Sequence, residues 1–219
     1  YKTLGGLVAV RSSATAEDLR EASFAGQMST FLNVTEDKLI ESVKKCIASL
    51  FTARAIYYRT RKNIGHMNVS IAVVVQRMID SRKAGVAFSV NPVTNNKDEM
   101  VIEAAYGLGE AVVGGKSIPD NYVVLKETGR VKERRIYKKS PVLNDPEISR
   151  LSDIIKRIED HYAFPQDIEW AIDKKGEIYI LQARPITTLQ AVEKPAWKKI
   201  LAREYAVQYT ELSLKCLSP

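Results

Sequence analysis

Four side chains in the last third of the chain, Asp167, Glu169, Gln182 and Arg184, combine hard oxygen donors with a guanidinium. Such a set suits a divalent cation together with the phosphates it accompanies, because magnesium takes carboxylate and amide oxygens and arginine meets phosphate oxygens through a planar fork. Their spacing places them on two strands, DIEWAID and IYILQAR, joined through Lys175-Gly176. If that pair is a two-residue turn, opposite residues sum to 351, so Glu169 faces Gln182 and Asp167 faces Arg184. The period of two then puts all four on one face, while Ile168, Trp170, Ile172, Tyr179, Leu181 and Ala183 form the apolar one. A polar strand face is also what a solvated sheet presents, and a bulge at the turn would break the pairing.

A second candidate lies near the start. In VAVRSSATAEDLREASFAGQ, Arg11 ends an aliphatic strand, Leu7 to Val10, and is followed by hydroxyl-bearing and small residues. Small residues let backbone amides approach an anion, so the stretch reads as a phosphate cradle. It reads equally as a Ser/Thr-rich turn with Arg11 paired to Glu17 or Asp18. The glycines of YGLGEAVVGGKS suggest two nucleotide motifs that both fail. Val112 stands where a dinucleotide fingerprint needs glycine or alanine, and Glu110 where a P-loop needs glycine.

These loops need a frame. Asn33 to Asn63 reads as helical, with Thr35 as N-cap and Leu39, Val43, Ile47 and Leu50 recurring on a core face. Val69 to Ile79, Lys83 to Val90 and Met100 to Ala105 are strand-like runs. Asn121 to Lys126 and Val131 to Tyr137 flank a hairpin connection at 127–130. Asp145-Pro146 opens a helix that turns Ile148, Leu151, Ile155, Ile158 and Tyr162 inward. Residues 192–212 are Lys-rich and helical in pattern.

The 219 residues carry a net charge of +7, which favours anionic partners without choosing among them. The basic clusters Arg54 to Lys62 and Lys132 to Lys139 read as solvated faces of a helix and a strand. They lack the motifs of a nucleic-acid binder, so no nucleic-acid partner is expected. No apolar run approaches the length of a membrane span. His66 and His161 are isolated, and Cys46 and Cys216 fit neither a zinc spacing nor a disulfide framework, so a reducing, cytoplasmic setting is expected.

Taken together, VAVRSSATAEDLREASFAGQ, VVVQRMI, AGVAFSVNP, IEAAYGLGEAVVGGKSIPDNYVV, DIEWAID and IYILQARP closely resemble the ATP-binding domain of the phosphoenolpyruvate synthase and pyruvate phosphate dikinase family. Rifampin phosphotransferases share the domain more distantly. The resemblance covers residues 7–188, within a nucleotide-binding region set at 1–188, and leaves 189–219 as a helical linker or the start of a following element. It implies an α+β, ATP-grasp-like fold with ATP held between two subdomains. It also implies that Arg11 and Arg184 are the catalytic phosphate-binding cations, that the Ser23 to Gln27 loop, including Gly26, closes over the nucleotide, and that Gln76, Arg77, Met78 and Ile79 border adenine. Glu169 and Gln182 would hold Mg2+. The family's phosphate-binding lysine, carrier histidine and pyruvate-binding barrel find no match in these residues. A truncated ATP domain is therefore expected, inactive alone and completed by a partner domain or chain. The competing expectations are a non-catalytic binding or assembly module docking through the Trp197 helix, and the ATP domain of a related phosphotransferase with another acceptor.

Overall fold

The computed structural model describes residues 1, 4–14, 18–19, 22–23, 29–61, 63–66, 69–108, 118–137 and 139–186. It is a mixed α+β structure that divides into two compact units, Tyr1–Asp80 and Ser81–Pro219.

In the first unit, β1 (Val8–Ala14) is central in a three-stranded antiparallel sheet, flanked by β4 (Thr30–Val34) and β5 (Ile71–Arg77). A two-stranded ladder joins β2 (Asp18–Leu19) to β3 (Ala22–Ser23). The sequence places the end of the first strand at Val10, but β1 continues to Ala14. Its partner β5 offers a ladder over the full stretch, pairing Val8 with Arg77 and Ala14 with Ile71. Serines are tolerated there because the ladder satisfies their backbone groups.

The single helix expected over residues 33–63 is two. Asn33 and Val34 close β4, with Asn33 at a positive φ of 55°. Thr35 then caps a short 3-10 turn, without a side-chain bond to a backbone N–H, before α1 (Leu39–Ala48). A second 3-10 turn, Ser49–Phe51, separates α1 from α2 (Ala53–Arg61). Ser49 Oγ donates to Cys46 O at 2.6 Å, and Thr52 Oγ1 to Ser49 O at 3.1 Å, so local side-chain bonds compete with a continuing helix. The buried stripe of α1 runs through Cys46 rather than Ile47. Cys46 and Leu50 are buried and Leu39 and Val43 pack partly against the sheet, but Ile47 is 44% exposed, contrary to its expected place in the core.

The second unit is a six-stranded antiparallel sheet. Its strands are β6 (Ser81–Phe88), β7 (Glu99–Tyr106), β8 (Asp120–Leu125), β9 (Val131–Arg135), β10 (Gln166–Asp173) and β11 (Ile178–Pro185), in the order β11-β10-β6-β7-β8-β9. One face is covered by α3 (Asp145–Tyr162), which turns Ile148, Leu151, Ile155 and Ile158 onto Met100, Ile102, Tyr122, Ile168 and Trp170. The N-cap is Asn144, one residue earlier than the sequence pattern gives. Its side chain accepts from Glu147 N at 2.9 Å while Glu147 Oε2 accepts from Asn144 N at 2.9 Å. This reciprocal box satisfies two helix-end donors. Lys83, buried on the same face, donates to both Glu147 oxygens at 2.7 Å and ties α3 to β6.

A buried Asp120 organises the approach to α3, accepting from Tyr137 N at 3.0 Å, Val142 N at 2.8 Å and Tyr122 Oη at 3.3 Å. Burial, with the Asp120 carboxylate beside it, pushes the Tyr122 hydroxyl up to about 12. Tyr122 thus stays a neutral donor while also accepting from Leu143 N at 3.1 Å.

Gly85 is required by packing. A Cβ there would lie 1.8 Å from Glu103 O and 2.9 Å from Trp170 Cζ2. Gly85→Ala is expected to lower unfolding stability by at least ~1–3 kcal/mol, the range of overpacked cores, read from a urea midpoint. Ser152 behaves oppositely: its hydroxyl is fully buried without a partner among the described residues. Ser152→Ala should leave stability unchanged or raise it by up to ~1–3 kcal/mol, because it removes an unsatisfied group. A clear loss would show an unseen water bonded to Oγ.

Between β10 and β11 the chain turns through Lys174 to Gly176. Asp173 N donates to Glu177 O at 3.1 Å, Gly176 N to Asp173 O at 3.2 Å, and Gly176 takes φ 85°. The Asp173 carboxylate accepts from Lys175 N at 2.8 Å and Glu177 N at 2.9 Å. Backbone N–H donors, that of Glu177 foremost, hold its carboxyl below the ordinary 3.8. A depressed folded pKa gives stability that is present above the unfolded value and lost as pH falls through the folded one. The stability advantage of wild type over Asp173→Asn should therefore be full above about pH 5 and shrink towards about pH 2 in acid-titrated thermal melts. A pH-independent gap would contradict it.

Candidate functional site

The site hairpin reaches its register by two irregularities. From the three-residue turn, pairing begins with Ile172 opposite Ile178, Ala171 opposite Tyr179 and Trp170 opposite Ile180. Continued regularly, it would set Glu169 against Leu181 and carry Gln182 and Arg184 to the core face. Instead the register shifts at this point, leaving Leu181 as an extra residue, and Glu169 pairs with Gln182, Asp167 with Arg184 and Gln166 with Pro185. A bulge of this kind re-aims every side chain beyond it. The expected pairs of polar residues are therefore present, although the expected two-residue turn is not.

The three-residue turn sets a different apolar face from the expected one. Tyr179 and Leu181 do not join it. Ile178 and Ile180 do, packed against Ile168, Trp170 and Ile172. Ala183 lies beyond the bulge and is buried as expected.

On the sheet face away from α3, Arg184 is held by Asp167. Its Nε donates to Asp167 Oδ2 at 2.8 Å, and Nη2 lies 2.7 Å from the same oxygen. Asp167 is 13% exposed and Arg184 39%, so the pair sits at the margin of the sheet with the guanidinium the more accessible partner. Sequence reasoning set Asp167 opposite Arg184 but gave it no task. The geometry makes it the group that orients the cation. Glu169 and Gln182 lie one pair further along, half-buried, each with an oxygen-bearing head group.

The face continues across the sheet. Glu169 pairs with Val86, Val86 with Glu103, and Glu103 with Asn121. Directly opposed residues share a face, so Glu103 stands two strands from Glu169 in one cross-strand row. Nothing in the spacing of Glu103 marks it, because its place depends on registers between strands distant in sequence. Among the described residues, no cluster of three or more His, Cys, Asp and Glu is placed to hold a metal. A cation held at this face by Glu169 and Gln182 would take phosphates and waters to complete its shell, as magnesium commonly does.

In the first unit, Arg11 lies within β1, opposite Thr30 on one side and Val74 on the other, rather than at a strand end. Gln76 and Arg77 close β5, opposite Ala9 and Val8. Met78 N donates to Leu7 O at 3.0 Å, extending the ladder by one bond before Ile79. Ser23 belongs to β3, opposite Asp18. Gly26 and Gln27 lie outside the described residues, as do 109–117 of the glycine-rich stretch and all of 187–219. Gly107, at the head of that stretch, has φ 93°, donates to Arg82 O at 2.9 Å and accepts from Ser81 Oγ at 2.9 Å.

A family model described as the pyruvate phosphate dikinase AMP/ATP-binding domain matches residues 2–142 and 137–204. The phosphoenolpyruvate synthase of Pyrococcus furiosus is 48% identical over 214 residues, covering 84% of this chain and 26% of its own. Probable phosphoenolpyruvate synthases of Archaeoglobus fulgidus and Methanothermobacter thermautotrophicus are 49% and 48% identical, covering 88% and 92% of this chain and 28% and 32% of theirs. The chain spans about a quarter to a third of the length of these relatives. With matched segments running through both units and through the hairpin, the chain belongs to the family of the pyruvate phosphate dikinase AMP/ATP-binding domain.

Proposed function

We propose that this chain is the Mg-ATP-holding part of a phosphoenolpyruvate-synthase-like dikinase, with an ATP-grasp-like use of its sheets, and that it presents a phosphoryl group to a carrier histidine outside these residues. The observation that carries this reading is the pairing of Glu169 with Gln182 beside the Asp167–Arg184 pair on the sheet face away from α3. The donor chemistry fits magnesium: one carboxylate and one amide oxygen, both hard, on adjacent strands of a rigid sheet. When bound, magnesium would neutralise phosphate charge and fix the polyphosphate.

The protein's own residues do the rest. Arg184, oriented by Asp167, donates to phosphate oxygens, and the partial neutralisation by Asp167 limits how tightly it holds them before transfer. Arg11 contacts phosphate from β1. Gln76 to Ile79 border the adenine, and the 23–27 loop covers the nucleotide. Positioning and charge neutralisation supply most of what phosphoryl transfer asks of a protein. The archaeal relatives are named for phosphoenolpyruvate synthesis, and in this reading pyruvate would be met by domains outside these residues.

Calorimetric titration of ATP with magnesium tests the reading. Saturable binding is expected for wild type, and at least tenfold weaker magnesium-dependent binding for a Glu169→Ala, Gln182→Ala double variant. Equal affinity in both would place the metal elsewhere and sink the assignment.

A further inference from the structure

Arg59 does not fit the solvated basic face that the cluster 54–62 suggests. It is 1% exposed, inside α2 of the first unit. Its Nε donates to His66 Nδ1 at 3.2 Å, and the Phe51 ring centroid lies 6.0 Å from its Cζ. Nη1 and Nη2 are buried with no hydrogen-bond partner, and no carboxylate among the described residues pairs with them. A guanidinium is charged at every pH the protein meets, and a buried charge is ordinarily retained only when paired. His66, which accepts through Nδ1, supplies no countercharge. Phe51 is 60% exposed on a short 3-10 turn, so its ring can turn aside without disturbing the sheet. Arg54 and Arg61 add positive charge to the same helix, which has no acidic residue.

We propose that Arg59 is the receptor of an oxyanion site in the first unit, built from none of the residues assigned to the nucleotide. The ring of Phe51 moves aside, and the Nη1–Nη2 edge takes two oxygens of a tetrahedral phosphate-type anion. The fork geometry suits paired oxygens on one centre, and the surrounding positive charge favours a dianion.

Thermal unfolding of the whole chain with inorganic phosphate, against chloride at matched ionic strength, tests this. Wild type should show a saturable rise in midpoint, and Arg184→Met should retain it, separating this site from the nucleotide face. Arg59→Met should lose it and, without phosphate, be at least as stable as wild type, because an unpaired buried cation is replaced by an apolar side chain of similar length. Arg59→Lys keeps the charge without the fork and should bind phosphate at least fivefold more weakly, by phosphorus NMR titration. An equal phosphate response in wild type and Arg59→Met, or a less stable Arg59→Met in phosphate-free buffer, overturns the proposal. An equal shift with acetate overturns the tetrahedral class.

Discussion

The candidate site depends on one extra residue. Leu181 has no opposite number on β10, and that single insertion reverses the facing of everything beyond it on β11. The turn alone would have sent Gln182 and Arg184 into the core beside Ile168 and would have exposed Ala183. With the bulge, a polar pair and a charged pair line up on the face away from α3 while Ala183 stays buried. Burial on the other face enforces the shift: Trp170, Ile168 and Ile172 are almost wholly enclosed, so β10 cannot slip, and β11 must absorb the mismatch.

The sheet makes that constraint rigid. Strand β10 lies between β11 and β6, its inner face filled by α3 and its approach to β6 set by Gly85, where any Cβ would lie 2.9 Å from Trp170 Cζ2. The capping box of α3 is tied into β6 through Lys83 and Glu147, so the helix, the sheet and the hairpin form one packed body. Side chains mounted on such a frame keep their separation, which is what charge-based positioning of a polyphosphate requires.

Much of this was legible in the sequence, for identifiable reasons. The alternation in DIEWAID and the periodicity from Ile148 to Ile158 are strong local signals, and the strands and the final helix follow them closely. The four polar residues of the hairpin emerged from an assumed turn that does not exist. A three-residue turn and a later bulge offset each other, so the arithmetic held for Glu169 and Gln182 and failed for Tyr179 and Leu181. The break at Ser49 to Thr52 was hidden because serine and threonine side chains, not glycine or proline, interrupt the helix. The Asp167–Arg184 ion pair and the row reaching Glu103 depend on side-chain reach and on registers between distant strands, which spacing does not encode.

The most direct test is the position of the metal. Crystals grown with Mn2+ and a non-hydrolysable ATP analogue would locate the cation by its anomalous scattering. The account predicts a peak between the Glu169 carboxylate and the Gln182 amide oxygen, with Arg184 against the phosphates. A well-ordered nucleotide whose cation lies away from both side chains would contradict it.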